Sequence, residues 1–155
     1  MQKVSVSDTS VLLNLAFIDR LNILNDYFDQ VIVPKQVWEE LMDGDRGKEK
    51  LQMFESSLDF VEVEEDSFFF ELRNSLDIGE SACIKYAVEN DVDLVLLDES
   101  EGRRKAKNHG LKVTGVIGLL MKADLDMEQE MDALRNSGFY ISDELYRKVL
   151  EISES

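Results

Sequence analysis

The sequence has little of the residue types that bind metals through sulfur or imidazole. Its 155 residues include one cysteine, Cys83, and one histidine, His109. A single cysteine excludes a disulfide within the chain and a thiolate-cluster metal site, and a single histidine excludes a His-rich zinc site. A metal in this protein must therefore be held by oxygen ligands, which suit hard cations such as Mg²⁺.

Long hydrophobic runs are also missing. Every apolar run is far shorter than the about 20 residues that a membrane-spanning helix needs. The first ten residues, MQKVSVSDTS, have no apolar core of signal-peptide length. We therefore expect a cytoplasmic protein with no membrane contact.

Positive charge is scarce. Lys and Arg number 17 against 33 Asp and Glu, so the formal net charge is −16. Such a surface repels a phosphate backbone, which is evidence against broad, unassisted binding to nucleic acid. The charge does not exclude a small acidic pocket that binds phosphate through metal ions.

What the chain does contain indicates one α/β domain, residues 1–155. The hydrophobic fraction of 44% is too high for wholesale disorder, and the length suits a single domain. Strand-like and helix-like segments alternate, which predicts a parallel sheet. The predicted strands are 3–7, 31–33, 60–63, 94–97 and 112–114. The predicted helices are 11–26 in one or two pieces, one after Pro34, 48–56, 68–74, 78–90, 102–108, 116–123, 127–136 and 142–152.

Two aspartates stand where predicted strands end. Asp8 follows the alternating strand 3–7, and Asp98 follows the apolar strand 94–97. Ligands of parallel sheets bind outside the carboxyl ends of the strands, where the strand order reverses. These two positions are therefore the first functional indication, and they come from the pattern alone.

Glu40 and Glu80, each in a predicted helix, are the other candidate site residues. Two unit charges about 4 Å apart repel by about 4 kcal/mol at an effective dielectric of 20. Converging carboxylates therefore hold either protons or a divalent cation. Most acidic residues in so acidic a chain are merely solvated, and the pattern favours Glu40 and Glu80 only a little. The pattern alone supports an α/β domain with a candidate divalent-metal site.

Five segments, in this order, resemble the PIN domain family. They are SDTSVLLNL, VIVPKQVWEEL, LDIGESACIKYA, DLVLLDESEGRRKAK and GLKVTGVIGLL. The resemblance covers about residues 3–150 and is closest to the VapC-like ribonucleases, in the subgroup where a GE replaces the more usual acidic pair. It implies a three-layer α/β/α fold with a five-stranded parallel sheet in order 3-2-1-4-5. It also implies a Mg²⁺- or Mn²⁺-dependent endoribonuclease, often a homodimer and often the toxin of a toxin–antitoxin pair.

The resemblance also implies particular site residues. The four acidic positions of the family, which are both catalytic and metal-binding, match Asp8, Glu40, Glu80 and Asp98. Glu39 is the alternative to Glu40 if the register shifts by one residue. The auxiliary candidates are Thr9 and Ser10, which would orient Asp8 or a water, and Glu101, which matches a further acid that some relatives have about three residues after the fourth position.

Two features leave alternatives open. Arg103 and Arg104, in the basic segment after Asp98, either contact RNA phosphates or form a solvated helix face that offsets nearby acids. The whole chain is either a nuclease with RNA as substrate and an antitoxin as partner, or a catalytically silent PIN-like scaffold that binds a protein through its acidic surface. A phospho-acceptor receiver domain or a phosphatase is disfavoured, because no acidic pair ends the first strand and no lysine follows the last one.

Overall fold

The computed structural model describes residues 2–154, and five strands among them form one parallel sheet. The order is β3-β2-β1-β4-β5, with helices flanking the sheet, so the predicted α/β/α fold and strand order are confirmed. The central strands β1 and β4 are almost fully buried, as strands of a parallel sheet covered on both faces should be. The strands are β1 (Val4–Ser7), β2 (Gln30–Pro34), β3 (Asp59–Val61), β4 (Leu94–Leu96) and β5 (Val113–Thr114).

The helices fall close to the predicted segments. Segment 11–26 forms two helices, because Asp19 takes a positive φ of 59° between them, a conformation that aspartate tolerates better than most residues. The helices are α1 (Thr9–Phe17), α2 (Ile23–Tyr27), α3 (Lys35–Asp43), α4 (Lys48–Phe54), α5 (Ser67–Leu72), α6 (Ile78–Glu89), α7 (Ser100–Asn108), α8 (Val116–Lys122), α9 (Met127–Asn136) and α10 (Asp143–Glu154). None of the helices within residues 2–154 combines the length and apolar character that a membrane crossing requires.

The strand order reverses between β1 and β4, and this reversal positions the candidate site. In the parallel pairing of these strands, Ser7 lies opposite Leu96. The next N–H along β1, that of Asp8, donates a hydrogen bond to the carbonyl oxygen of Leu96 at 3.1 Å. Paired strands lie about 4.8 Å apart, so Asp8 and Asp98 leave the sheet from neighbouring positions at its carboxyl edge.

Candidate active site

Three carboxylates converge at this edge of the sheet. Each of Asp8, Asp77 and Glu80 offers one oxygen, and the three oxygens lie within 4.8 Å of one another. Asp8 lies between β1 and α1, while Asp77 and Glu80 lie at the start of α6. Asp8 is 3% exposed and Glu80 is 5% exposed, whereas Asp77 is open to solvent. Segments far apart in the chain thus bring acidic groups into one partly enclosed cluster.

Asp77 was not among the predicted site residues, although its sequence context carries a signal. Its Oδ1 accepts a hydrogen bond from the Glu80 N–H at 2.8 Å, and Glu80 Oε1 accepts one from the Asp77 N–H at 3.1 Å. This reciprocal pair is a capping box, which an acidic or hydroxyl residue three positions before a glutamate can indicate. Each carboxylate thus uses one oxygen to begin α6 and leaves the other for a ligand.

Several oxygens of the predicted acids have no protein partner. Asp8 Oδ1, Glu80 Oε2 and Asp98 Oδ2 are buried without a hydrogen-bond donor among residues 2–154. A buried acceptor left unpaired costs about 1–3 kcal/mol, and more if it is charged. Carboxylate oxygens from several segments are the ligands that Mg²⁺ and Mn²⁺ prefer, so the residues present fit such an ion.

The electrostatics of the cluster also favour a bound cation or proton. The pKa of Asp8 is raised from 3.8 to about 8, mainly by burial and in smaller part by the charges of Asp77, Glu80 and Glu40, against the lowering effect of a backbone hydrogen bond at Thr9. Burial likewise raises the pKa of Glu80. Without a cation, the Asp8 carboxyl therefore retains a proton near neutral pH, and a cation would have to displace it.

Glu40 and Asp98 are not members of the three-carboxylate cluster. Thr9 Oγ1 donates a hydrogen bond to Glu40 Oε2 at 2.8 Å, which ties α3 to the residue after Asp8. Glu40, rather than its neighbour Glu39, therefore receives the contact from the Asp8 segment. Asp98 Oδ1 accepts a hydrogen bond from the N–H of Val116 at 3.0 Å.

The remaining predicted residues lie around Asp98 and Asp8. Burial raises the pKa of Asp98, while the positive charge of Arg103 opposes this shift, so the guanidinium acts on that carboxyl. Arg104 instead forms an ion pair with Glu101 at 2.8 Å on the exposed face of α7. Ser10 Oγ is buried and lacks a hydrogen-bond partner in the described chain. Neither Glu101 nor Ser10 belongs to the three-carboxylate cluster.

An acidic groove of about 480 Å³ opens beside the cluster and includes Asp77. Its cation, Arg73, donates a hydrogen bond to the carbonyl oxygen of Leu76 at 3.0 Å, which fixes the guanidinium at the rim. The other lining residues are Gln36, Glu39, Glu40, Asp43, Glu65 and Ile78. The cluster therefore has an acidic groove beside Asp77 and the basic helix α7 beside Glu80, whose Oε2 lies close to Gly102.

Comparison with known proteins gives one positive result. No curated protein is similar enough to this chain to be identified as a relative. A family model described as a PIN domain matches residues 4–155, which is nearly the whole chain. A match of this extent shows that the chain belongs to the PIN domain family, whose members are generally nucleases.

Proposed function

We propose that this PIN domain is a divalent-metal-dependent endoribonuclease that cleaves RNA phosphodiester bonds. The observation that carries the proposal is the set of buried, unpartnered carboxylate oxygens on Asp8, Glu80 and Asp98. A purely structural acid normally finds a hydrogen-bond donor when buried, whereas a metal ligand keeps an oxygen free.

The metal ligands would be Asp8, Asp77 and Glu80, with Glu40 and Asp98 at the border of the cluster. When bound, Mg²⁺ or Mn²⁺ supplies Lewis-acid activation of a phosphate oxygen and lowers the pKa of a water molecule. Either ion fits the oxygen-only donor set, which excludes the sulfur- and imidazole-rich sites of softer metals.

The protein's own contribution is to hold these acids in fixed positions. The capping box of α6 orients Asp77 and Glu80, and the N–H of Val116 orients Asp98. The hydroxyl of Thr9 orients Glu40. Removing the groups that orient ligand side chains typically lowers metal affinity or activity 10–100-fold.

The charge distribution around the cluster supports a direction of approach for RNA. Arg103 and Arg104 lie on α7, next to Asp98 in sequence, and would contact phosphates that neighbour the scissile bond. The groove on the Asp77 side is lined by carboxylates and repels phosphate. The RNA backbone is therefore expected to lie along α7 rather than in the groove.

The VapC-like resemblance extends the proposal to partners. A toxin of this kind acts as a homodimer and is neutralised by an antitoxin protein, and we include both in the proposal. Size-exclusion chromatography with light scattering tests the dimer. Relief of growth arrest by the product of the neighbouring gene tests the toxin role.

The decisive experiment is a nuclease assay on mixed RNA with Mg²⁺ or Mn²⁺, in parallel with a chelated control. We expect cleavage that EDTA abolishes and that Asp8→Asn and Asp98→Asn each reduce at least 100-fold. Asp45→Asn, a change to an exposed acid in the turn after α3, is the matched control and should cleave normally.

Two outcomes would contradict the proposal. Cleavage that survives both chelation and Asp8→Asn would remove the metal-dependent mechanism. Calorimetric Mn²⁺ binding without cleavage of any RNA would instead favour the silent scaffold that binds a protein partner.

A further inference from the structure

Three glycines approach the candidate metal ligands so closely that a side chain would displace them. A Cβ on Gly79 would lie 2.6 Å from Asp8 Oδ1, and one on Gly102 would lie 2.9 Å from Glu80 Oε2. A Cβ on Gly115 would overlap Asp98 Oδ1. Real Cβ atoms essentially never lie within 3.0 Å of such an atom, so each carboxylate would have to move.

The oxygens that Gly79 and Gly102 approach are the same oxygens that have no protein partner. Asp8 Oδ1 and Glu80 Oε2 are buried and unpaired within residues 2–154. Two independent properties, the lack of a donor and the contact with a glycine backbone, therefore coincide on the same two atoms. Each glycine therefore packs against an oxygen to which no group of the described chain donates a hydrogen bond.

The backbone conformation does not explain why these positions are glycine. Gly79 and Gly102 lie in the first turns of α6 and α7 and do not take the positive φ found at Gly47, Gly110 and Gly138. Alanine is intrinsically a better helix former than glycine. The helical conformation therefore gives no reason for glycine at these two sites, whereas glycine does permit close packing against a carboxylate.

We propose that Gly79 and Gly102 are positioning residues for the metal centre, with Gly115 playing the same part for Asp98. They hold Asp8 Oδ1 and Glu80 Oε2 where a divalent cation can bind both. This inference rests on the proposed metal-dependent function and adds residues to it. A methyl group at either position would rotate the neighbouring carboxylate away, because the end of a flexible side chain moves more easily than the helix backbone that carries the methyl group.

The test compares Gly79→Ala and Gly102→Ala with Gly44→Ala in the full chain. Gly44 is the matched control because it has an ordinary φ of −82°, and its added Cβ would meet atoms no closer than 3.6 Å. Mn²⁺ affinity is measured by isothermal titration calorimetry, and the Tm of the metal-free protein by calorimetry in EDTA. We expect Gly79→Ala and Gly102→Ala to weaken Mn²⁺ binding at least ten-fold without lowering the metal-free Tm, and Gly44→Ala to leave both unchanged.

A double variant adds a readout that a purely structural role would not produce. Glu80→Asp shortens the side chain by one methylene and makes room for a Cβ at position 102. Combined with Gly102→Ala, it should bind Mn²⁺ more tightly than Gly102→Ala alone. If Gly79→Ala does not fold, Gly102→Ala and this double variant decide the question.

The outcomes separate this inference from the proposed function. Wild-type affinity for Mn²⁺ in both single variants, in a protein that cleaves RNA, would overturn the positioning role alone. Mn²⁺ binding that is weakened as expected, in a protein that cleaves no RNA, would overturn the nuclease proposal alone. Absence of Mn²⁺ binding by the wild-type chain would overturn both.

Discussion

Asp8 is a residue that the fold holds in an unfavourable state. It is 3% exposed, its Oδ1 lacks a donor in the part of the chain that the structure describes, and its pKa is raised to about 8. A group that costs stability in the absence of a ligand and becomes favourable with one is typical of a functional site. The same features make its effect on stability depend on pH and on metal.

We expect Asp8→Asn to stabilise the metal-free protein, increasingly as pH rises. Between about pH 4 and pH 8 the folded chain keeps a proton on Asp8 that the unfolded chain has lost, since the folded pKa is about 8 and the ordinary value is 3.8. The free energy of unfolding therefore falls as pH increases through this range. One pKa unit is worth about 1.4 kcal/mol, so the free energy of unfolding of the metal-free variant at pH 8 should exceed that of the wild-type chain by more than about 1 kcal/mol.

Urea unfolding in EDTA at several pH values measures this effect. Excess Mn²⁺ should reverse the order at pH 8, because an ion that binds only the folded wild-type chain stabilises it. Parallel stability profiles for the two proteins between pH 4 and pH 8 would show that Asp8 titrates normally.

At the scale of single elements, helix α6 has two tasks at its first turn. The capping box begins the helix, and its two carboxylates also belong to the three-carboxylate cluster. Aspartate and asparagine cap helices about equally well, but only aspartate brings a negative charge to a metal. The two tasks can therefore be separated by substitution.

We expect Asp77→Asn to keep the stability of the metal-free chain within about 0.5 kcal/mol and to weaken Mn²⁺ binding at least ten-fold. Asp77→Ala should weaken Mn²⁺ binding as well and should also lower the free energy of unfolding by about 1 kcal/mol, because alanine cannot cap the helix. Asp126→Asn, at the cap of α9, is the control, because this carboxylate also accepts a capping hydrogen bond. Unchanged Mn²⁺ affinity in Asp77→Asn would limit Asp77 to a structural role.

Another element-scale contact fastens α9 to the segment that follows α1. Arg20 donates two hydrogen bonds to Glu130, at 2.6 and 3.0 Å, and Glu130 is 4% exposed. Removing the arginine leaves a buried carboxylate without its partner, whose loss costs about 3–5 kcal/mol in fully buried pairs. This pair therefore stabilises the docking of α9 against the segment between α1 and α2.

Arg20→Ala should destabilise the protein by about 2–3 kcal/mol, below the fully buried range because the Arg20 side chain is 34% exposed. Lys35→Ala, which breaks the exposed pair with Glu62, should change stability by less than about 1 kcal/mol. Chemical denaturation compares the two variants. An equal effect of both would mean that the buried pair adds nothing beyond a surface contact.

At the scale of the whole molecule, the net charge of −16 limits how RNA can be bound. Carboxylates outnumber cations over most of the chain and repel phosphate, so we expect few phosphate contacts and the release of few counterions when RNA binds. The RNA affinity of a dedicated basic RNA-binding protein falls steeply as the salt concentration rises, whereas RNA binding by this chain should depend mainly on the metal.

We expect kcat/KM for RNA cleavage to fall only slightly as KCl rises at a fixed concentration of free Mn²⁺. Reversal of both Arg103 and Arg104 to Glu should weaken RNA binding and flatten the remaining salt dependence, because two phosphate contacts are lost. Reversal of both Arg147 and Lys148 to Glu, two exposed cations of α10, is the charge-matched control. An unchanged slope in the double reversal would assign the basic face of α7 to solvation instead.

The sequence by itself determined the fold class and strand positions, because buried strands and amphipathic helices impose their periods on the residues that form them. The strand-end positions of Asp8 and Asp98 followed from the same pattern. Tertiary structure alone decided which acids meet. Asp77 was missed because a carboxylate in a helix cap looks structural until folding brings Asp8 beside it. The closeness of Gly79 and Gly102 to particular oxygens also depends on how helices pack, and a linear pattern does not record distances between segments.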